Sequence, residues 1–419
     1  MKDKTLLLIG GGLETVHAVQ LAQSRGLHVV VSDYRADAPA MLAADDRLFA
    51  STYDIPGTVA AARRYHQTVR SIDGVLSVGV DVPCTVAAVA AALRLVGISP
   101  ESAALSADKL AMKEQFRRDG VPVPWFVEVA TPHELARIAC CCDEMLVVKP
   151  VDSRGSRGVQ RLLPGLDPSL AFARARDHSP SGRVMVEAYL DGPQISTESL
   201  LLKGRAYTPG FSDRNYEYLD RFAPYFIENG GELPSVLPRR IQDNVRSLVE
   251  RAGASLGVTN GMLKGDIVVH EGKPYIIEVA TRLSGGFFCT LEIPLNTGVD
   301  FVGAVMAWAL GETVDTTLLA PLHQRPVVQR YAFLDPGEVI RVEGLEDARR
   351  LPGVAEVMTY VKPGDVVRVP TDTTARAAMV IATGDTIAEA QARAQAALKA
   401  IKIETALPGQ HIHRKAASF

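Results

Sequence analysis

The sequence lacks the marks of several large protein classes. No apolar run reaches the about 18 residues that a membrane-crossing helix needs, so no membrane span is expected. A formal net charge of −3 over 419 residues leaves no basic excess for nucleic acid or a membrane surface, and neither is an expected partner. Cysteines number five, at 84, 140, 141, 142 and 289, with no C-x-x-C pair. The three in a row fan out around a helix, so free cytosolic thiols are expected rather than a disulfide frame or a structural metal. The opening MKDKTLLLIGGG has an apolar core too short for a signal peptide, and a cytoplasmic protein is expected. No Gly-x-x-x-x-Gly-Lys-Ser/Thr occurs, which excludes a Walker A loop. There is no internal repeat and no low-complexity tract. What remains, 47% hydrophobic and 22% charged, is an ordinary globular composition, long enough for roughly two to four domains.

The stretch GMLKGDIVVHEGKPYIIEVATRLSGG, residues 261–286, reads as a β-hairpin around the polar turn Glu271-Gly272-Lys273. A turn centred on Gly272 sets Asp266 directly across from Glu278. Lys264, Ala280 and Arg282 then share their face by the two-residue strand period. Opposed carboxylates repel unless a cation lies between them. The cation is either a hard divalent ion or the side chains of Lys264 and Arg282. Relief of that repulsion predicts that Asp266→Asn costs little stability or even adds some.

Along the chain, residues 6–9 form an apolar strand, Gly10-Gly11-Gly12 turns, and residues 14–24 are helical. Residues 27–31 form the next strand, ending at Asp33, so the chain starts as a βαβ unit on a parallel sheet. Thr15 stands where a dinucleotide fingerprint needs its third glycine, which argues against NAD although Asp33 falls near the ribose distance. Residues 146–150 form a strand ending in Lys149-Pro150 and run into Val-Asp-Ser-Arg-Gly-Ser-Arg-Gly, residues 151–158. Backbone N–H groups of such a loop can close over phosphates, and its small side chains give it little to pack against. Residues 184–187 form a strand ending at Glu187. Residues 210–235, polar and aromatic, are long enough to suggest a lid or binding loop. After residue 324, short strands at 326–333, 354–359, 366–369 and 377–382 and a helix at 386–401 suggest a small α+β unit.

In order, Lys109, Lys149 with its glycine loop, Glu187-Ala-Tyr-Leu, and Asp266, Glu278 and Arg282 resemble the ATP-grasp superfamily. The likeness is nearest to carboxylate–amine ligases of the L-amino-acid ligase type, and more distant to purine-pathway enzymes and biotin carboxylase. It implies a mixed α/β and α+β fold. The parts are an N-terminal doubly wound parallel-sheet domain (1–105), a two-lobed nucleotide-binding domain (106–320) and a small C-terminal α+β domain (321–419). It implies ATP with Mg²⁺, Mn²⁺ being an alternative ion. Lys109 and Lys149 would meet the phosphates and the adenine edge. Ser153, Gly155, Ser156 and Gly158 would form a flap, with Arg157, Lys149 and Arg282 as catalytic groups. Glu187 would accept from the adenine amino group, Tyr189 and Leu190 would read the ring, and Gln194, where the family usually has Glu, would bind ribose. Asp266 and Glu278 would hold the metal. Arg282, Ser284, Gly285 and Gly286 would bind the substrate carboxylate, with Glu198 and Glu228 completing the pocket. Ala280 stands where the family usually has a metal-binding Asn, and water or Glu198 would have to replace it. The implied reaction joins a small-molecule carboxylate to an amine through an acyl phosphate, giving ADP and phosphate. A purine-pathway or carboxylase-like enzyme, a nucleotide-binding protein with reduced catalysis, and a homodimeric assembly stay open.

Overall fold

The computed structural model describes residues 2–406, so residues 407–419 of the expected C-terminal unit lie outside the described residues. A parallel sheet opens the chain, with strand order Asp46–Phe49, His28–Asp33, Thr5–Ile9, Gly74–Leu76. Thr5–Ile9 is buried at every position, as befits a central parallel strand covered on both faces. Asp33 Oδ2 accepts from the Gly11 N–H at 2.7 Å and fixes the glycine turn.

A second, antiparallel sheet runs Phe126–Val129, Val184–Ala188, Leu146–Pro150, Gln160–Leu162. The helices Pro132–Cys141 and Pro168–Asp177 cover it through Leu135 and Phe172, packed on Val148 and Val186. Thr131 caps the first of these helices by accepting from the Glu134 N–H at 3.2 Å. The sheet thus presents Lys149 and Glu187 at neighbouring positions, with Lys149 paired to Met185 across the ladder.

The largest sheet has eight strands, ordered Lys273–Ala280, Gly261–His270, Gln194–Leu202, Arg205–Arg214, Gly231–Leu233, Val327–Phe333, Arg376–Thr383, Val354–Thr359. Strands from beyond residue 324 therefore continue the sheet that carries the hairpin, through Gly231–Leu233 paired with Val327 and Val328. The tract at 210–235 is not one long loop, because both its ends are strands of this sheet. Helix Arg239–Ser255 lays Ile241, Val245, Leu248, Val249 and Ala252 against it. A separate small sheet joins Val366–Val367, Gly337–Glu343 and Lys402–Ala406. The last two strands had no clear sequence signal; Gly337–Glu343 buries just Gly337 and Val339.

The hairpin turn is shorter than its sequence suggested. His270 pairs with Lys273, so only Glu271 and Gly272 turn, with φ of 48° and 75°. Two positive φ angles define the hairpin turn whose twist matches the strands. Lys273 belongs to the strand.

Candidate functional site

A cavity of about 570 Å³ lies where the three larger sheets meet. That is within the usual range for small-molecule sites. It is lined by Lys109, Lys149, Ser153, Gly155, Ser156, Arg157, Glu187, Tyr189, Leu190 and Gln194. Asp266, Glu278, Arg282, Ser284, Gly285, Gly286 and Glu228 line it too. Of the residues singled out from sequence, Gly158 and Glu198 lie outside the lining.

At one end, Glu187 is buried between two lysines. Lys149 Nζ donates to one carboxylate oxygen, and Lys113 Nζ stands 2.9 Å from the other. Burial works to raise the Glu187 carboxyl, and the two lysines outweigh it and hold it below the ordinary range. Burial brings Lys113 down to about 8 against the pull of Glu187. Lys149 thus already has an anion, so its place beside the glycine loop does not by itself demand a phosphate. Lys113 was missed, although it lies four residues past Lys109 on helix Lys109–Arg118 and so on the same face. Tyr189 and Phe226 approach at a tilt nearby, ring centres 6.0 Å apart.

The glycine loop is held rather than free. Lys109 Nζ donates to the Ser153 carbonyl at 2.6 Å. Arg154 Nε lies 3.5 Å from Asp81, and its guanidinium lies 4.6 Å from the Tyr53 ring. Thr373 donates to the Gly155 carbonyl from Oγ1 at 3.0 Å and from its N–H at 3.3 Å. The expectation that this loop has little to pack against is therefore corrected: both flanking units grip it. Gly155 and Ser156 are left-handed, at φ 61° and 58°, which turns successive N–H groups in a tight arc. Gly158 instead packs on Pro150 and His178, where a Cβ would come within 2.8 and 2.9 Å.

Asp266 faces Glu278 across the hairpin. Each of the two acids is paired with its own side-chain cations. Asp266 accepts from Lys264 and, at 2.7 Å, from Arg214; Glu278 Oε1 stands 3.1 Å from Lys109. Burial would raise the Asp266 carboxyl, and Arg214 and Lys264 together hold it far below the carboxylate range. Arg214 also donates to Glu228 at 2.8 Å, bridging the two acids. It was overlooked because it sits in the tract read as a lid. The expectation that Asp266→Asn costs little stability, or adds some, is opposed by these pairs, since Lys264 and Arg214 would lose a charged partner. Among the described residues no group of three His, Cys, Asp or Glu is placed to hold a metal. Two opposed carboxylates do fit Mg²⁺, which commonly takes one or two carboxylates and completes its shell with phosphates and water.

Arg282 pairs with the N-terminal unit: its Nε donates to Asp81 at 3.3 Å. Asp81 is low because Arg282, Lys109 and Arg154 outweigh its burial. The following loop is pinned to the N-terminal unit by a parallel bridge between Val78 and Leu283. Below it, Glu198 is fully buried and accepts from the Ser284 N–H at 3.1 Å, its carboxyl pushed up to about 7 by burial. It shapes the loop rather than lining the cavity. Glu14 was read only as a helix residue, yet it lines the cavity between two glycines. A Cβ on Gly79 or Gly285 would meet its Oε2 at 2.3 or 2.5 Å, so a side chain at either position would displace the Glu14 carboxylate.

The ATP-grasp domain matches residues 106–286, and the L-amino acid ligase C-terminal domain 2 matches residues 330–406. A D-alanine–D-alanine ligase of Synechococcus sp. (strain JA-3-3Ab) is 31% identical over 245 residues, 56% of this chain and 70% of that protein. An uncharacterised protein of Sinorhizobium fredii is 26% identical over 381 residues, 87% of this chain and 77% of that one. The crystal structure of L-amino acid ligase from Bacillus licheniformis superposes with a TM-score of 0.79 at 20% identity, over 97% of this chain and 100% of that one. Shared sequence around the cavity and a shared fold along the chain place this protein in the ATP-grasp superfamily, as an ATP-dependent C–N ligase of its carboxylate–amine, L-amino-acid-ligase-like branch.

Proposed function

We propose that the protein joins a small-molecule carboxylate to an amine through an acyl phosphate, releasing ADP and phosphate. The observation that carries this is the convergence of the Asp266–Glu278 pair, Arg282 and the glycine loop on one cavity. Lys149, Lys109 and the N–H groups of Ser153, Gly155 and Ser156 bind the phosphates, and Arg157 swings from the Arg154 carbonyl toward them. The segment from Glu187 to Leu190 takes the adenine, and Gln194 takes the ribose. Asp266 and Glu278 would hold Mg²⁺, which neutralises phosphate charge when bound. A carboxylate oxygen attacks the γ-phosphorus, and the bond from that phosphorus to the ADP oxygen breaks. Arg282 leaves Asp81 to hold the transferring group, since a guanidinium fork matches phosphoryl and carboxylate oxygens. The amine lone pair then forms the C–N bond, phosphate departs, and the amine gives up a proton. The division at about residues 105 and 320 belongs to the same proposal, three units closing around one cavity.

Ala280 favours a second reading, a nucleotide-binding protein with reduced catalysis. One assay decides between them: small carboxylates and amino acids are screened in pairs with ATP and Mg²⁺, and products are read by phosphorus NMR. ADP and phosphate, formed only when both partners are present, are expected. AMP and pyrophosphate would overturn the mechanism, and no turnover with any pair would favour the second reading.

A further inference from the structure

We propose that Arg376 binds a second carboxylate of the substrate pair, one that is not phosphorylated, and so selects which molecules are joined. This rests on the ligase reading above. Arg376 begins the strand Arg376–Thr383 and lines the cavity from the C-terminal side. Its guanidinium lies 3.8 Å from the centre of the Tyr331 ring. Nη2 donates to the Glu228 carbonyl at 3.2 Å and stands 3.6 Å from the Glu228 carboxylate. Nη1 has no hydrogen-bond partner among the described residues, and the side chain keeps 18% of its surface exposed.

The charges around it do not balance. Glu228 is already held by Arg214, whose Nε and Nη2 both donate to Oε2. Glu292 also lines this end, but it is buried, and burial with the nearby Glu228 charge pushes its carboxyl up to about 8. Pushed toward its neutral form, it offers Arg376 little charge, so Arg376 shares Glu228 with Arg214. A guanidinium that shares its acid partner and keeps a free N–H edge in a cavity is suited to a carboxylate, which it can meet with two parallel N–H groups.

Its position separates it from the reacting centre. Tyr331 Oη lies 3.1 Å from where a side chain on Gly286 would begin, and Arg376 lies on the Tyr331 ring. Arg376 is thus one aromatic ring beyond the loop that follows Arg282. The carboxylate to be phosphorylated belongs at Arg282, so Arg376 serves another. That group has two sources: the amine partner's own carboxylate, or a second carboxylate on the phosphorylated partner. A purely structural Arg376 would only tie the strand to Glu228.

The test compares wild type, Arg376→Gln and Arg376→Lys by ATP-dependent phosphate release, each confirmed folded by thermal melting. One arm offers amine partners as free L-amino acids and as their carboxamides. The other offers monocarboxylic L-amino acids against L-aspartate and L-glutamate as the phosphorylated partner. In one arm, wild type is expected to favour the extra carboxylate by roughly 10–100-fold in kcat/KM. Arg376→Gln should lose that preference through a raised KM for the charged form, with KM for ATP and activity on the neutral form kept. Arg376→Lys should recover part of it. The arm that changes identifies the source. Equal losses on charged and neutral forms, or no preference in wild type, would overturn the proposal. Absence of phosphate release from every pair in wild type would instead sink the ligase reading, and this proposal with it.

Discussion

Asp266 and Glu278 are cross-strand partners because Ile277 is an extra residue. From the turn, His270 pairs with Lys273 and Ile267 with Ile276; the ladder then skips Ile277, and Asp266 meets Glu278. Without that bulge Asp266 would face Ile277, and the second acid would move to the other face of the strand. The bulge thus re-aims one carboxylate into the cavity.

Asp266→Asn is expected to abolish turnover and to lower stability by about 1–3 kcal/mol. The loss arises because Lys264 and Arg214 are left with an uncharged neighbour. Denaturant unfolding beside a phosphate-release assay measures both. Unchanged or increased stability would show that repulsion from Glu278 outweighs those ion pairs.

Lys149→Ala should weaken ATP binding by roughly 10–100-fold, because the phosphates give up one charge-assisted hydrogen bond. The fold should persist, because Glu187 keeps Lys113 at 2.9 Å. Calorimetric titration with ATP in Mg²⁺ reads the affinity. An unchanged value would remove Lys149 from the nucleotide site.

Much of this was legible in the sequence. Period-two patterning and the glycine turns located many of the strands. The order Lys149, Glu187, Asp266, Glu278 and Arg282 located one wall of the cavity. What escaped was what sequence distance hides. Arg214 and Arg376 are 52 and 110 residues from Asp266, and only sheet order brings them near. The turn was misjudged because Glu271-Gly272-Lys273 and a two-residue turn plus a bulge give Asp266 the same partner. Glu14 looked like an ordinary helix start because its neighbours, Gly79 and Gly285, are far away in the chain.

Thr373→Val should speed amide hydrogen exchange of residues 153–158 by roughly 3–10-fold in the nucleotide-free protein, since the hydroxyl no longer donates to Gly155. ATP with Mg²⁺ should slow exchange there in both proteins. Exchange that ignores the substitution would mean the clasp does not restrain the loop.

Stability should fall as pH rises from about 5 to 8. Glu198 and Glu292 are buried with carboxyls pushed up to about 7 and about 8, against an ordinary 4.5. Between those values the folded protein binds more protons than the unfolded chain, so each added pH unit costs stability. The contribution is whole below about 4.5 and gone above about 8. Thermal melts across this window should show the decline, and Glu292→Gln should flatten it. A slope that Glu292→Gln leaves untouched would remove Glu292 as its source.

The central claim is that a carboxylate is phosphorylated at the γ-phosphate before the amine attacks. The direct test supplies a competent carboxylate labelled with ¹⁸O in both oxygens, together with ATP, Mg²⁺ and the amine. Mass spectrometry of the products then follows the label. One ¹⁸O atom should leave the carboxylate and appear in inorganic phosphate, with ADP unlabelled. Label in AMP, or phosphate free of ¹⁸O while the amide forms, would contradict the account.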